Sequence, residues 1–179
     1  MLKTAVLVID MQRGLYDDLP RPHEAGEVAQ RVNALTERAR AAGVPVAFIQ
    51  HENTIDLEFD SERWQLADAL RVIAGDTKIR KTTSDSFLRT PLEAWLAGQA
   101  VQRVVICGYS SEFCVDSTVR RAAALGYEVV LAADAHTSHD KPHATGAFIR
   151  AHHNATLSDI TSFDVPIRAV DSAQIAFGD

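Results

Sequence analysis

The chain is poor in several features that mark particular classes of protein. Its 179 residues contain only two cysteines, so the sequence does not predict a disulfide framework. No run of eighteen apolar residues occurs, and we therefore expect no membrane span or membrane partner. Basic residues are outnumbered by acidic ones, 18 to 24, and a net charge of −6 argues against a nucleic-acid partner. No internal repeat, low-complexity tract, linker or signal-peptide pattern is evident, which predicts one domain over residues 1–179 in the reducing cytoplasm.

The remaining composition is that of a globular domain, with 46% hydrophobic and 23% charged residues. Hydrophobic patterning predicts strands at 4–9, 46–50, 77–80, 101–107 and 127–132, with short strands near 160 or 167. It predicts helices at 27–42, 64–73, 90 or 91 to 98, 111–125 and 142–153. Such alternation indicates a single-domain three-layer α/β/α fold with a mainly parallel, Rossmann-like sheet of about six strands.

Three residues with reactive side chains directly follow predicted strands. Asp10 follows the first strand, Lys81 follows the 77–80 segment, and Cys114 comes shortly after the 101–107 strand. In open parallel sheets, ligands bind outside the carboxyl ends of the strands. We therefore expect these three side chains to meet at one edge of the sheet and to form a binding or catalytic site.

The three side chains have complementary chemistry. Cys114 is predicted at the first turn of a helix, where the helix dipole and a nearby Lys81 would favour a thiolate. Asp10 could accept and return a proton, and backbone N–H groups of the 108–114 turn could stabilise an oxyanion. Each residue also has an ordinary structural interpretation, as a buried thiol, a turn residue or a solvated lysine. Cys107 lies within the apolar strand and is interpreted as a core residue.

The flanking sequences resemble those of the isochorismatase-like cysteine hydrolases over nearly the whole chain. The segments that carry the resemblance are AVLVIDMQRGL, VPVAFIQHE, GDTKIRKTTSDSFLRTPLEAWL and VVICGYSSEFCVDSTVRRAAALGYEVVLAADAHTS. The resemblance implies that Cys114 is the nucleophile, Asp10 the general acid/base, and Lys81 a cation that lowers the thiol pKa and orients the pair. It further implies an oxyanion hole formed by the backbone N–H groups of Ser110 and Cys114, and a cis peptide bond between Tyr109 and Ser110.

The reaction implied by the resemblance is hydrolysis of a C–N bond in a small amide or carbamoyl compound through a thioester, without a cofactor. One alternative is that the same groups cleave an isochorismatase-type ether, an ester or a lactam. Another is a catalytically silent oligomeric scaffold, in which the thiol pKa would stay near about 8.5. The resemblance also implies a homodimer or a homotetramer.

The sequence departs from the family pattern at two places. Where members often read K-x-x-x-S-A-F, this chain places Asp85 before the serine, and Asp85 is expected to pair with a basic group, to cap a turn or to act in the site. Nicotinamidases of this superfamily have an Asp and closely spaced histidines as metal ligands, and only His51 remains of that pattern. The sequence therefore predicts no metal site there.

Five residues are candidates for contact with the small-molecule substrate. Gln12 is expected either to contact the substrate or to stabilise its own loop. Trp64, Phe87 and Phe113 are candidates for lining an apolar pocket, although for Trp64 core packing is an equal alternative. Tyr109, just before the predicted oxyanion hole, is the fifth.

Five of the seven histidines cluster in HTSHDKPHATGAFIRAHHN. His139 and His143 have the i, i+4 spacing of a metal pair, but Pro142 interrupts helical geometry between them. The cluster is therefore interpreted as capping, packing and interface hydrogen bonds. Asp134 is expected to serve as a hydrogen-bond hub for the loop after the fifth strand.

Overall fold

A computed structural model describes residues 2–178 as alternating strands and helices. The six strands are β1 (Thr4–Ile9), β2 (Val46–His51), β3 (Thr77–Lys81), β4 (Arg103–Tyr109), β5 (Glu128–Thr137) and β6 (Ile167–Val170). The five α-helices are α1 (Arg13–Tyr16), α2 (Ala25–Ala41), α3 (Leu92–Gly98), α4 (Asp116–Ala124) and α5 (Gly146–Ser158). A wide turn with π-helical bonding, Ser111–Val115, precedes α4, and a 3₁₀ turn, Ser172–Gln174, follows β6.

The strands form one six-stranded parallel sheet in the order β3-β2-β1-β4-β5-β6, which confirms the predicted fold class. The chain builds outward from β1 to β3 on one side and then returns to build from β4 to β6 on the other. The order therefore reverses between β1 and β4, where parallel α/β sheets open a crevice at their carboxyl ends. Asp10 and the Ser111–Val115 turn follow these two strands.

Both faces of the sheet are covered, which explains why β1 is buried at all six positions. Its side chains alternate between two hydrophobic clusters, with Leu7 packing on the face of α3, α4 and α5 and Val8 on the face of α2. A strand buried on both faces reads as a continuous apolar run, which is the pattern that predicted it. Within residues 2–178, no helix combines the length and the apolar character needed to cross a bilayer.

The helix predicted at 64–73 is wrong. This segment forms turns instead, because its backbone pairs with the residues that follow β1: Leu66 forms an antiparallel bridge with Gln12, and the Ala67 N–H donates to the Met11 carbonyl at 2.8 Å. Residues bonded across to another segment cannot also form i to i−4 helical bonds. The local apolar spacing reflects burial against β1.

The last predicted helix begins later than expected. Lys141 and Ala144 bond to each other in a tight turn, so α5 starts at Gly146, where the Thr145 side chain accepts a hydrogen bond from the Phe148 N–H. Strand β5 is longer than predicted because its ladder with β4 resumes beyond an irregularity and pairs Gly108 with His136. The short strand expected near 167 is present, whereas residue 160 lies outside any strand.

Candidate active site

Three side chains that follow different strands meet at the carboxyl edge of the sheet. The Lys81 ammonium lies 2.6 Å from the Asp10 Oδ2 atom and 3.3 Å from the Cys114 Sγ atom, and it also donates to the Thr83 carbonyl at 3.1 Å. The Lys81 and Asp10 side chains are 0% and 1% exposed. The expectation that Asp10, Lys81 and Cys114 would meet at one edge therefore matches the geometry, with Lys81 bridging the other two.

Each of these side chains has its position fixed by the end of a strand. Asp10 has a φ of 49°, a left-handed conformation that is uncommon for residues other than glycine, and its N–H still donates to the Ile49 carbonyl of β2. Lys81 is the last residue of the edge strand β3, and its register partner on β2 is His51. Cys114 is the fourth residue of the Ser111–Val115 turn rather than the first turn of an α-helix, as the sequence had predicted.

The backbone between β4 and the Ser111–Val115 turn changes direction sharply. Gly108 has a φ of +115°, and a Cβ atom at this position would lie 2.2 Å from the Ile9 carbonyl oxygen. The Tyr109–Ser110 peptide bond is cis, as the family resemblance implied. The Ser110 carbonyl then accepts from the N–H groups of both Phe113 and Val115, which closes the turn that carries Cys114.

The charges around Cys114 act on its pKa with opposite signs. Burial and the Asp10 carboxylate raise the pKa of the thiol and the Lys81 ammonium lowers it, and together they place it at about 12. Burial by itself would lower the pKa of Lys81, but Asp10 and Cys114 raise it above its ordinary value. The resting site therefore contains a carboxylate, an ammonium ion and a neutral thiol. The depressed thiol pKa expected from the sequence is wrong in direction, because it left out burial and the Asp10 charge.

The Oδ1 atom of Asp10 and the neighbouring imidazole of His51 can each take part in a further hydrogen bond. The Oδ1 atom of Asp10 is buried and, among residues 2–178, has no hydrogen-bond partner. The half-buried His51 places its Nδ1 atom 3.4 Å from the Lys81 ammonium, and burial followed by the Lys81 charge lowers the pKa of His51. A neutral His51 can act as an acceptor toward Lys81, while Asp10 Oδ1 can receive a proton.

Gln12 and Trp64 hold the chain that crosses this edge. The Gln12 amide donates to the carbonyls of His51 and Trp64, at 2.9 Å each, and accepts from the His51 N–H at 2.8 Å. Gln12 is fully buried, so the loop-stabilising alternative is the one its contacts support. The Trp64 ring is buried and packs edge-on against Phe59, while its carbonyl also accepts from Gln50.

The other candidate substrate contacts lie in three different environments. Phe87 is a core residue, stacked on Tyr127 and packed in the cluster beneath α3, and its contacts in the structure are those of core packing. Burial raises the pKa of Tyr109 to about 12, and its hydroxyl bonds to the Nδ1 atom of His139 at 2.8 Å. Phe113 is 55% exposed and lines a cavity of about 410 Å³ with Phe148 of α5.

The alternatives for the remaining polar residues can now be compared with their contacts. Asp85 both caps a turn, accepting from the Phe87 N–H at 2.8 Å, and faces the Arg121 guanidinium at 3.7 Å. Asp134 lies within β5 and accepts from the N–H and hydroxyl of Ser172, so it holds the turn after β6 and not the loop after the fifth strand for which it was predicted. In the described part of the chain, no group of three or more His, Cys, Asp or Glu side chains is arranged to hold a metal ion.

The polar residues that hold the Ser111–Val115 turn were not identified from the sequence. The Ser111 hydroxyl bonds to the Nδ1 atom of His136 at 2.8 Å, and both residues are fully buried. Because β5 was predicted to end at residue 132, His136 was placed in a loop. The available signal was the apolar Ala135 beside His136, which continues the strand pattern past Asp134.

The Isochorismatase domain profile matches residues 4–162, which is most of the chain. The chain belongs to the isochorismatase family. A crystal structure titled as an isochorismatase family protein superposes on it with a TM-score of 0.86 at 34% identity, covering 94% of this chain and 98% of the other. The fold is thus that of an isochorismatase-family protein, as the resemblance had implied.

Two relatives have names that describe a hydrolytic reaction. Streptothricin hydrolase of Streptomyces noursei is 35% identical over 143 residues, which cover 78% of this chain and 51% of that protein. The isochorismatase-family chain described here thus matches only about half the length of that relative. Ureidoacrylate amidohydrolase RutB of Pseudomonas savastanoi pv. phaseolicola is 27% identical over 171 residues, which cover 74% of this chain and 70% of that protein.

Proposed function

We propose that this protein is a cysteine-dependent hydrolase that cleaves the C–N bond of a small amide or carbamoyl compound through a thioester. The observation that carries the proposal is the contact of one buried ammonium, Lys81, with both a carboxylate and a thiol. An acid/base group and a nucleophile joined by a cation are what acyl transfer requires. The amidohydrolase named among the relatives supports the choice of bond.

The charge distribution of the resting site suggests how the thiol becomes reactive. With Asp10 ionised the pKa of Cys114 is raised, so the proton leaves the thiol as Sγ attacks the substrate carbonyl. Asp10 accepts this proton, which removes the negative charge that opposed the thiolate. The negative charge that develops as Sγ loses its proton then lies beside Lys81. We assign the backbone N–H groups of Ser110 and Cys114 to the developing oxyanion.

The remaining steps return the site to its starting state. The tetrahedral adduct collapses, the C–N bond breaks, and protonated Asp10 gives its proton to the departing nitrogen. Water then attacks the thioester carbon and gives one proton to Asp10. The C–S bond breaks, the acid leaves, and the thiolate takes the proton back from Asp10. No cofactor enters these steps. A homodimer or a homotetramer in the cytoplasm is the expected setting.

The test uses the protein's two thiols and a panel of small substrates. Wild type, Cys114→Ala and Cys107→Ala are incubated with primary amides, N-carbamoyl compounds, lactams, esters and vinyl ethers, and products are identified by mass spectrometry. We expect release of amine or ammonia from an amide or carbamoyl compound, abolished in Cys114→Ala and retained in Cys107→Ala. Cleavage of only esters, lactams or ethers would favour the alternative reaction, which the streptothricin hydrolase similarity keeps open. Turnover that persists in Cys114→Ala would refute the thioester mechanism.

A further inference from the structure

A chain of polar side chains, two of them fully buried and Asn154 half-buried, connects the Ser111–Val115 turn to strand β5 and helix α5. The Ser111 Oγ atom lies 2.8 Å from His136 Nδ1, and His136 Nε2 lies 2.8 Å from Asn154 Oδ1. The Asn154 amide then donates to the Ala133 carbonyl at 2.9 Å. Three segments that are far apart in sequence are thereby joined through a single imidazole.

The direction of every hydrogen bond in this chain follows from its far end. A carbonyl only accepts, so Asn154 must present its NH₂ to Ala133 and its oxygen to His136. His136 therefore carries its proton on Nε2, and its Nδ1 atom is an acceptor. The Ser111 hydroxyl must then be the donor. Each group has a partner, as burial of polar atoms requires.

The neutral form of His136 is the one that this arrangement needs. Burial lowers the pKa of His136 to about 4, against the Asn154 hydrogen bond and Asp134, which raise it, and with Arg150 and His153 on α5, which lower it further. Serine, histidine and asparagine in this order resemble a hydrolytic triad, but Ser111 is fully buried and cannot meet a substrate. The chain of hydrogen bonds is consequently suited to holding a position.

These hydrogen bonds hold the turn that positions the Cys114 thiol. Ser111 opens the turn, and Cys114 lies three residues later. A second bond, from the Ser138 hydroxyl to the Glu112 carboxylate at 2.7 Å, ties the same turn to the segment after β5. The Sγ–Nζ distance of 3.3 Å between Cys114 and Lys81 leaves little margin, because a displacement of about 1 Å would break that contact.

We propose that Ser111, His136 and Asn154 are positioning residues that keep the Cys114 thiol within reach of Lys81. The proposal rests on the proposed function, in which Cys114 is the nucleophile. Without these residues the turn shifts, and Cys114 loses the charged group that lowers its pKa. Loss of positioning should therefore alter the pH dependence of the thiol's reactivity in addition to the stability of the fold.

The experiment measures alkylation of Cys114 by iodoacetamide against pH, with intact and peptide mass spectrometry. In Ser111→Ala we expect the profile to move to higher pH and the rate constant at pH 8 to fall about 10-fold, as small misplacements of reacting groups do. Asn154→Ala removes only the far anchor, so its shift should have the same sign and a smaller size. Should Ser111→Ala fail to fold, Asn154→Ala decides the question alone.

The matched control is Ser172→Ala, which also removes a buried serine hydroxyl bonded to β5, here to Asp134 at 3.2 Å. It should lower the free energy of unfolding to a similar extent and leave the Cys114 profile unchanged. If the Ser111 and Asn154 variants lose stability but retain the wild-type profile, these residues are structural only and the proposal is wrong. If Lys81→Ala instead leaves the pH profile of Cys114 alkylation unchanged, the proposed function itself is contradicted. The failure of the positioning proposal and the failure of the proposed function are therefore distinguishable.

Discussion

The thiol of Cys114 lies between two opposite charges, and the balance between them sets its state. Burial and the Asp10 carboxylate hold the proton on sulfur, while Lys81 works against both. In the proposed mechanism, such a site keeps Cys114 protonated until a substrate is in place. Reactivity toward other electrophiles is correspondingly low, which distinguishes this site from one with a permanent thiolate.

Opposite shifts are expected when the two charges are removed one at a time. Asp10→Asn removes the anion that favours the neutral thiol, so the alkylation profile of Cys114 should move to lower pH by about one unit or more. Lys81→Ala removes the cation and should move the profile to higher pH by a similar amount. Hydrolysis should be lost in both variants, since one lacks the base and the other the bridging cation.

Cys107 provides an internal control for that measurement. It is fully buried in β4, burial raises the pKa of its thiol, and its rate of alkylation should be slow and equal in all variants. Profiles of Cys114 that shift in the same direction for Asp10→Asn and Lys81→Ala would contradict the assigned electrostatics.

The meeting of Asp10, Lys81 and Cys114 at one edge of the sheet could be predicted from sequence, but the direction of the thiol's pKa shift could not. Asp10, Lys81 and Cys114 follow strands, and parallel strands present their carboxyl ends at one edge. The sign of the thiol's pKa shift depends on how deeply Sγ is buried and how near Asp10 lies, which are tertiary distances. Gln12 was equally ambiguous, because only the fold shows that its amide bonds to the backbone of His51 and Trp64.

At the level of elements, the end of β4 has no space for a side chain at Gly108. Gly108 combines a positive φ with a backbone approach that leaves no space for a Cβ atom. Its neighbours β1 and β5 lie on either side of it, so the strain of a side chain cannot be relieved toward solvent. The turn that carries Cys114 begins three residues later.

Replacing this glycine should therefore be costly. Gly108→Ala is expected to lower the free energy of unfolding by at least about 3 kcal/mol, measured by urea denaturation. Gly26→Ala is the matched control, because it lies in α2 with no atom within 4 Å of the added Cβ, and it should be neutral or stabilising by up to about 1 kcal/mol. Equal effects of the two substitutions would show that the close approach to Ile9 is unimportant.

Helix α5 depends on its N-cap, Thr145, which accepts from the Phe148 N–H at 3.2 Å. Thr145→Ala should lower the free energy of unfolding by about 1 kcal/mol, whereas Thr145→Ser, which keeps the hydroxyl, should have little effect. Urea denaturation of the three proteins tests this. A loss as large in the serine variant would mean that the methyl group matters more than the cap.

The elements that sequence reasoning misplaced share one physical cause. Residues 64–73 and the start of α5 follow local patterns that backbone pairing elsewhere in the fold overrides, with Met11 and within the turn at Lys141. Strand β5 continues to Thr137 because β4 pairs with it beyond its irregularity. Long buried strands and α2 were predictable, since their periodicity directly reflects burial.

At the scale of the whole molecule, His136 should contribute strongly to the dependence of stability on acidic pH. His136 has a pKa of about 4 when folded and about 6.5 when unfolded, so the unfolded state binds more protons between these values. The stability that neutral His136 contributes is fully present above about pH 6.5 and is lost as the pH falls toward about 4. Over that range the loss amounts to up to about 3 kcal/mol.

In His136→Gln this loss should disappear. Between pH 7.5 and pH 4.5, we expect the free energy of unfolding to fall by about 2 kcal/mol less than in wild type, measured by urea denaturation at each pH. The pKa of His51 is also lowered, and its contribution is common to both proteins. Glu24 acts only at lower pH, since Arg31 and Arg150 lower its pKa to about 2. Parallel curves for the two proteins would contradict the role of His136.

The charged side chains on the two edge strands, β3 and β6, affect whether the sheets of separate molecules can join edge to edge. Lys78 and Arg80 on β3 and Arg168 on β6 are exposed charged side chains, and Arg80 and Arg168 face the carboxylates of Glu52 and Glu128 at 2.7 and 3.9 Å. Cationic side chains on edge strands repel the edge of another copy and oppose strand-by-strand addition. Association through helices and loops remains open, while fibre-like extension of the sheet is disfavoured. The exposed backbone edges of β3 and β6 are therefore poor templates for aggregation.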